Sequence, residues 1–341
     1  MKTLIASPLH NLPNGPAAVT LESFSGLEAS PDSTGETGQA QTEILAVPAT
    51  WKDVVNAYIA LTKPRIISLL LFTTMAAMFI ANDAQHPVTL LMFLAVAVGG
   101  YMAAGAANTI NMVIDRDIDG RMERTAMRPT VTKFISQRSA MLFAITLAIL
   151  SCALLGQFGC LLSAGLAMAG LVFYVVVYTL ILKRRTWQNI VWGGAAGAFP
   201  PLVGWTAVTH DLNALAWMLF AIIFFWTPVH FWALAILLKD DYIKAGIPML
   251  PSVRGERVTV VQISYYTAIT VLLTLLPFWM HYVSWIYLVS AVLLNIVLVR
   301  FCAKLYVRPE RSQAKHLFHY SMLYLALLFL AMALDHNLLR V

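Results

Sequence analysis

The chain has 341 residues, of which 59% are hydrophobic and only 12% charged, with a mean hydropathy of +0.73 and a formal net charge of +6. A water-soluble domain carries about 25% charged residues. This composition cannot cover a core of that size with polar side chains, so most of the chain has lipid as its solvent.

The first 50 residues differ from the rest. The stretch 26–44, "GLEASPDSTGETGQAQTEI", is small, polar and acidic, and reads as a disordered tail ahead of a membrane domain over 51–341. One Lys, no Arg and five acids before residue 44, with no long apolar core, match neither a secretory signal nor a mitochondrial presequence. The expected location is therefore a bacterial inner membrane.

Beyond the first 50 residues, seven long stretches lack Asp, Glu, Lys and Arg: 66–82, 84–114, 139–182, 186–210, 212–238, 258–299 and 316–334. A helix needs about 20 apolar residues to cross a bilayer. The two longest stretches each hold two spans, turning at "LGQFG" (155–159) and "WMHY" (279–282). The expected fold is all-α and polytopic: nine transmembrane helices enclosing a cavity, with cytoplasmic cap loops. Helices are expected because backbone groups in lipid must be satisfied internally. With a cytoplasmic N-terminus, 22 of the 23 Lys and Arg residues fall on the cytoplasmic side, leaving Arg340 in a periplasmic C-terminus. The positive balance thus reports topology rather than a nucleic-acid partner. Cys152, Cys160 and Cys302 form no paired motif, so neither a disulfide framework nor a zinc site is indicated.

The chemistry gathers just after the second span, in "NTINMVIDRDIDGRMERTAMR" (108–128). Asn111, Asp115 and Asp119 recur every four residues, which on a helix places them on one face, about 40° and 6 Å apart. Such a row of oxygens suits a hard divalent cation, and Mg²⁺ takes few carboxylates beside waters and phosphate oxygens. The bland alternative is a solvated helix end, but acids at a helix C-terminus face an unfavourable dipole that something positive should offset. Arg121, Arg124 and Arg128 follow at helical spacing before Pro129, with the geometry of phosphate donors or of an anionic-lipid contact. A second cluster, "LLKDDYIKAGIPMLPSVRGER" (237–257), puts Asp240, Asp241, Tyr242 and Lys244 on the same side, with Asp241 a candidate ligand for a second cation.

Lys63 and Arg65 in "TKPR" precede the first span, where the positive-inside rule alone accounts for them. Lys183, Arg184 and Asn189 stand before a helix with Gly193, Gly197 and a Pro200–Pro201 break; its small residues are suited to close helix approach. His230, in "FFWTPVHFWALAIL" beside Trp226, Phe231 and Trp232, is an ionisable group inside the membrane. A haem contact, a proton shuttle and a satisfied interior histidine are all compatible with it.

"NTINMVIDRDID" resembles the first Asp-rich motif of the UbiA-type intramembrane prenyltransferases. "LTKPRI", "RTAMRP", "KRRTWQNIVWGGAAGAFPPLVGW", "WTPVHFW" and "DDYIKAGIPMLP" are similar to their haem-farnesylating branch, from about Thr50 to Leu334. Many members of the superfamily carry a second DxxxD after the sixth span; this chain has DDY there. The resemblance implies farnesyl diphosphate and haem B as substrates and Mg²⁺ as cofactor, held by Asn111, Asp115, Asp119 and Asp241. Arg124, Arg128, Lys183 and Arg184, with Lys63, Arg65, Asn189, Tyr242 and Lys244, would contact substrate. Trp226 and Trp232 would shield an allylic cation, and His230 would contact haem or manage a proton. It also leaves room for a downstream haem-modifying or oxidase-assembly partner. Three rivals are weaker: prenylation of another aromatic or tetrapyrrole acceptor; a cation or solute transporter, which nine spans and acids at the helix ends do not favour; and a haem-binding assembly factor, which leaves the acids unused.

Overall fold

The computed structural model describes residues 50–339, and every regular element among them is helical. The tail expected over 1–50 lies, but for its last residue, outside them. The chain divides into two compact units between Ala57 and Tyr58. In the first, Thr50 donates through its amide (2.8 Å) and hydroxyl (2.7 Å) to Asp53 at the start of α1 (Trp51–Thr62).

In the second, long helices follow one another: α2 (Pro64–Ala81), α3 (Leu90–Ile114), α5 (Gln137–Phe158), α6 (Leu161–Val172), α7 (Asn189–Thr209), α8 (Ala214–Leu237), α11 (Gly255–Trp279), α12 (Trp285–Val307) and α13 (Arg311–Leu339). Short helices α4 (Arg116–Asp119), α9 (Lys239–Lys244) and α10 (Leu250–Val253) lie in two of the connections. The helix α6 does not stop at Val172 but continues as a π-helix over Phe173–Leu182. Both expected turns occur: the chain breaks between Phe158 and Leu161, and again between Trp279 and Trp285.

Eight spans among the described residues are long and apolar enough to cross a membrane. The expected ninth, α7, is a 21-residue helix of lower apolarity, rich in Gly, Ala and Pro. It is packed by α2, α6 and α8, which bury its residues 201–208, while Trp192 near its start is exposed. Gly204 of α7 shows how closely: a Cβ there would lie 2.1 Å from the Thr74 carbonyl oxygen of α2. Gly193 lies as near the Tyr178 ring, whereas Gly197 borders open space, so only the first of the two expected glycine contacts is made. Nor do Pro200 and Pro201 break the helix. Both sit inside α7, where they remove the amide donors that would reach back to Ala196 and Gly197.

Burial is arranged for lipid. Large apolar side chains such as Leu142, Ile149, Leu272, Leu293 and Ile296 point outward. The interior instead holds polar groups joined across helices. Tyr324 donates to Asn295 Oδ1 (2.7 Å), Asn295 to Thr274 (3.0 Å), and Tyr287 to the Thr274 carbonyl (2.8 Å), tying α11, α12 and α13 together. Asp335 of α13 caps the start of α12 by accepting from the Ser284 amide (2.7 Å), the Ser284 hydroxyl and the Tyr287 amide (3.0 Å). Interhelical hydrogen bonds of this kind are each worth about 0.6–2 kcal/mol in a membrane.

Candidate functional site

The acidic row forms as its spacing predicts, though not on one unbroken helix. The helix α3 ends at Ile114, Asp115 has φ −87° and ψ 6°, and α4 begins at Arg116. The i→i−4 bonding nonetheless runs through: the Asp115 amide donates to Asn111 O (2.9 Å) and the Asp119 amide to Asp115 O (2.8 Å). Asn111, Asp115 and Asp119 therefore keep a common face, and all three are buried.

Three basic side chains converge on this face from distant parts of the chain. Lys183, just past the π-helix, pairs with Asp115 Oδ2, and Arg128 pairs with Asp119 Oδ2. Lys63 donates to Asn111 Oδ1 (3.0 Å) from the turn between α1 and α2. Its backbone has φ 57° and ψ 61° and precedes Pro64, a left-handed conformation costing a non-glycine residue about 1–3 kcal/mol. Asn108 of α3 holds that turn, donating to the Thr62 carbonyl (3.0 Å). Burial pushes the Lys63 ammonium well below its ordinary pKa; nearby Arg128 and Lys183 push the same way, against the pull of Asp119 and Asp115. Around the cluster stand Tyr174 and Tyr178, stacked 5.4 Å apart, and Tyr242, whose hydroxyl burial holds above its ordinary pKa while Arg124 opposes that shift.

Arg184 takes another position. It grips Asp117 with both Nη atoms (2.7 Å each), donates to the Ile114 carbonyl (3.1 Å) and lies 3.5 Å from Asp115 Oδ1. Those hydrogen bonds hold the Asp117 carboxyl below its usual range. Arg184, Arg116, Asp117, Gln137 and Thr179 are among the residues that line a cleft of about 710 Å³. Neither Asp115 nor Asp119 lines it.

The buried acids meet a chemical test for a cation. Asp115 Oδ1, Asp119 Oδ1 and Asn189 Oδ1 are buried and accept no hydrogen bond. An unpartnered buried carboxylate oxygen costs several kcal/mol unless something positive comes to it. Among the described residues no group of three or more His, Cys, Asp or Glu is assembled for a metal. Two carboxylates beside an amide oxygen still fit Mg²⁺, which leaves its other positions to water and phosphate.

The other expected site residues differ in placement. Asp240 is exposed and paired with Arg311 (2.6 Å) at the start of α13. Arg65 and Lys244 are exposed too, while Asp241 is half-buried and close enough to Tyr242 to raise its pKa. Arg121, Arg124 and Arg128 share no helical face, because residues 120–135 form turns; Thr125 donates to Asp119 O (2.8 Å) and Thr130 to Met112 O (3.3 Å), folding Arg128 back onto Asp119. His230 is buried between Trp226 (ring centroids 4.7 Å) and Phe318 (4.6 Å), with Nδ1 2.8 Å from Ser321 Oγ. The Ser321 hydroxyl donates to Phe318 O (2.8 Å), so Nδ1–H is the donor to Oγ and Nε2 carries the lone pair. Trp232 packs on Tyr266 of α11 instead, away from the His230 stack. The sequence reading missed Tyr174, Tyr178 and Thr179, whose placement depends on the π-helical register.

Comparison with known proteins agrees with this architecture. Residues 70–332 match the UbiA prenyltransferase family. The chain is 60% identical over 287 residues to a protoheme IX farnesyltransferase of Thermus thermophilus, covering 84% of this chain and 46% of that protein. To the enzyme of the same name from Deinococcus radiodurans it is 54% identical over 301 residues, covering 85% and 95%. It thus spans about half the length of the Thermus relative and nearly all of the Deinococcus one. Among solved structures, a digeranylgeranylglyceryl phosphate synthase aligns with a TM-score of 0.69 at 17% identity, over 84% of this chain and 99% of that one. A UbiA homologue from Archaeoglobus fulgidus bound to DMAPP and Mg²⁺ aligns at 0.60 and 18% identity, over 81% and 99%. With its helical fold, buried acidic row and the family match over most of its length, the chain belongs to the UbiA prenyltransferase family.

Proposed function

We propose that the protein transfers the farnesyl group of farnesyl diphosphate to a vinyl group of haem B, giving haem O. The observation that carries this reading is the buried pair Asp115 and Asp119, each with one oxygen taken by a basic side chain and the other accepting no hydrogen bond, although Arg184 lies 3.5 Å from that of Asp115. The identity to two protoheme IX farnesyltransferases supports the acceptor, and the Archaeoglobus homologue bound to DMAPP and Mg²⁺ supports the donor.

Asn111, Asp115 and Asp119 would hold Mg²⁺, with Asp241 the candidate on the opposite side. Mg²⁺ bound there supplies Lewis-acid neutralisation of charge growing on the diphosphate. The chain's own residues do the rest. Lys183, Arg128 and Lys63, which now engage the acids and Asn111, turn to the phosphate oxygens as donors positioned before reaction. The carbon–oxygen bond of the allylic ester breaks and its electron pair leaves with diphosphate. A vinyl carbon of haem B bonds to the allylic carbon; water adds to the resulting cation and releases a proton, leaving a hydroxyethylfarnesyl side chain. Tyr174 and Tyr178 flank the cluster and offer ring faces to an allylic cation. His230, with its Nε2 lone pair, is the candidate haem contact, and Trp226 stacks behind it.

The protein lies in a bacterial inner membrane with its acidic end cytoplasmic, as the distribution of Lys and Arg supports. Mass spectrometry of haems extracted from a strain lacking haem O tests the reaction: expression should produce a farnesylated, hydrated haem. A strain still containing haem B alone would refute it.

A further inference from the structure

We propose that Thr179, placed by the π-helical register of residues 173–182, is a positioning residue that fixes which atom of Asn111 faces the cation. The inference rests on the metal reading given above. It starts from one hydrogen atom. The Thr179 hydroxyl donates to the Tyr174 carbonyl (2.9 Å), five residues back, and has no second proton to give. Toward Asn111 it can only accept. The Asn111 amide group must therefore present Nδ2 to it (3.2 Å), and the second Nδ2 proton goes to Asp115 Oδ2 (2.6 Å). With both protons committed, Oδ1 is turned the other way, toward Lys63 Nζ. The same chain orients Asp115: Oδ2 receives Asn111 and Lys183, and Oδ1 is left without a hydrogen bond, with Arg184 3.5 Å away.

The π-helix makes this possible. The Lys183 amide bonds to Tyr178 O (2.8 Å), again five residues back. In that register Tyr174, Tyr178, Thr179 and Lys183 gather on one face. In an α-helix residues five apart sit about 140° around the axis, which would separate Thr179 from Tyr174 and Lys183 from Tyr178. Such departures from α geometry are frequent at functional sites, and this one brings a hydroxyl and an ammonium to the same acidic row.

The test uses the full-length protein in detergent with farnesyl thiodiphosphate and Mn²⁺, free Mn²⁺ being read by electron paramagnetic resonance. Thr179→Val keeps the shape and removes the acceptor; Thr179→Ser keeps the acceptor. Thr179→Val should weaken Mn²⁺ binding about tenfold, as loss of a group that orients a ligand does, and Thr179→Ser should bind within about twofold of wild type. Equal affinity of Thr179→Val and wild type would overturn the proposal, as would equal loss in both variants. If wild type itself holds no Mn²⁺ beside the analogue, the metal reading fails, and this inference falls with it.

Discussion

Replacing Asp115 by Asn tests the site at its most buried charge. Asp115 is fully buried, accepts from Asn111 at 2.6 Å, and pairs with Lys183, which is itself almost enclosed. Asparagine keeps the shape but leaves the Lys183 ammonium without its counter-charge. Removing one partner of a buried pair costs about 3–5 kcal/mol, most of it the penalty of the stranded charge. Substituting Lys183 by Met at the same time removes that penalty, so the double variant should regain most of the lost stability. Asp115→Asn and Lys183→Met alone should each lower the melting temperature in detergent without Mg²⁺; together they should fall well short of additive, a coupling of about 3 kcal/mol. Turnover should behave otherwise. Asp115→Asn would take one carboxylate from the proposed Mg²⁺ site, so the cation that neutralises the departing diphosphate would be held less well; the expected loss is about 4 kcal/mol or some thousandfold in rate, and the double variant should recover none of it. Fluorescence melts and conversion of haem B by the same purified samples give both numbers. Additive stability losses, or wild-type turnover in Asp115→Asn, would refute the reasoning.

His230→Ala should impair conversion of haem B more than release of diphosphate from farnesyl diphosphate, and equal effects in the two assays would remove its acceptor role. Asp240→Asn should leave turnover within about twofold of wild type, because Asp240 is exposed and paired with exposed Arg311; a large loss would give it a part in the site. Lys63 carries a pH signature. Its folded pKa lies below the ordinary 10.5, so between the two values the unfolded chain binds more protons, and the stability of the ligand-free protein should rise with pH there. Lys63→Met should flatten that slope in melting curves taken toward pH 10.5, and an unchanged slope would assign it to another group. Gly204→Ala should destabilise the fold by about 1–3 kcal/mol, since the added carbon meets the Thr74 carbonyl of α2; an unchanged melting temperature would mean that α2 and α7 lie farther apart.

What could be read from sequence was what repeats locally. Charge-free runs marked the spans, and a four-residue interval marked Asn111, Asp115 and Asp119, because both depend on nothing beyond helix geometry. The interval does not say which cations answer the acids. Lys63, Arg128 and Lys183 come from three connections far apart in the chain, and only packing brings them together. Arginines 121, 124 and 128 misled for the opposite reason: they have helical spacing, but Gly120 opens a turn-rich segment where spacing carries no facing. Thr179 escaped notice because the π-helix changes the rule by which residues share a face. In α7 the two prolines looked like a break, yet neighbouring helices hold the segment helical, as tertiary packing in a membrane can.

The most direct measurement is a structure of the full-length protein with farnesyl thiodiphosphate and Mn²⁺, the metal located by anomalous scattering. The account predicts a metal peak about 2.0–2.2 Å from carboxylate oxygens of Asp115 and Asp119, with Lys183 and Arg128 turned to the diphosphate. A diphosphate lodged instead in the cleft lined by Arg116 and Arg184, with both acids still closed on their basic partners, would contradict it.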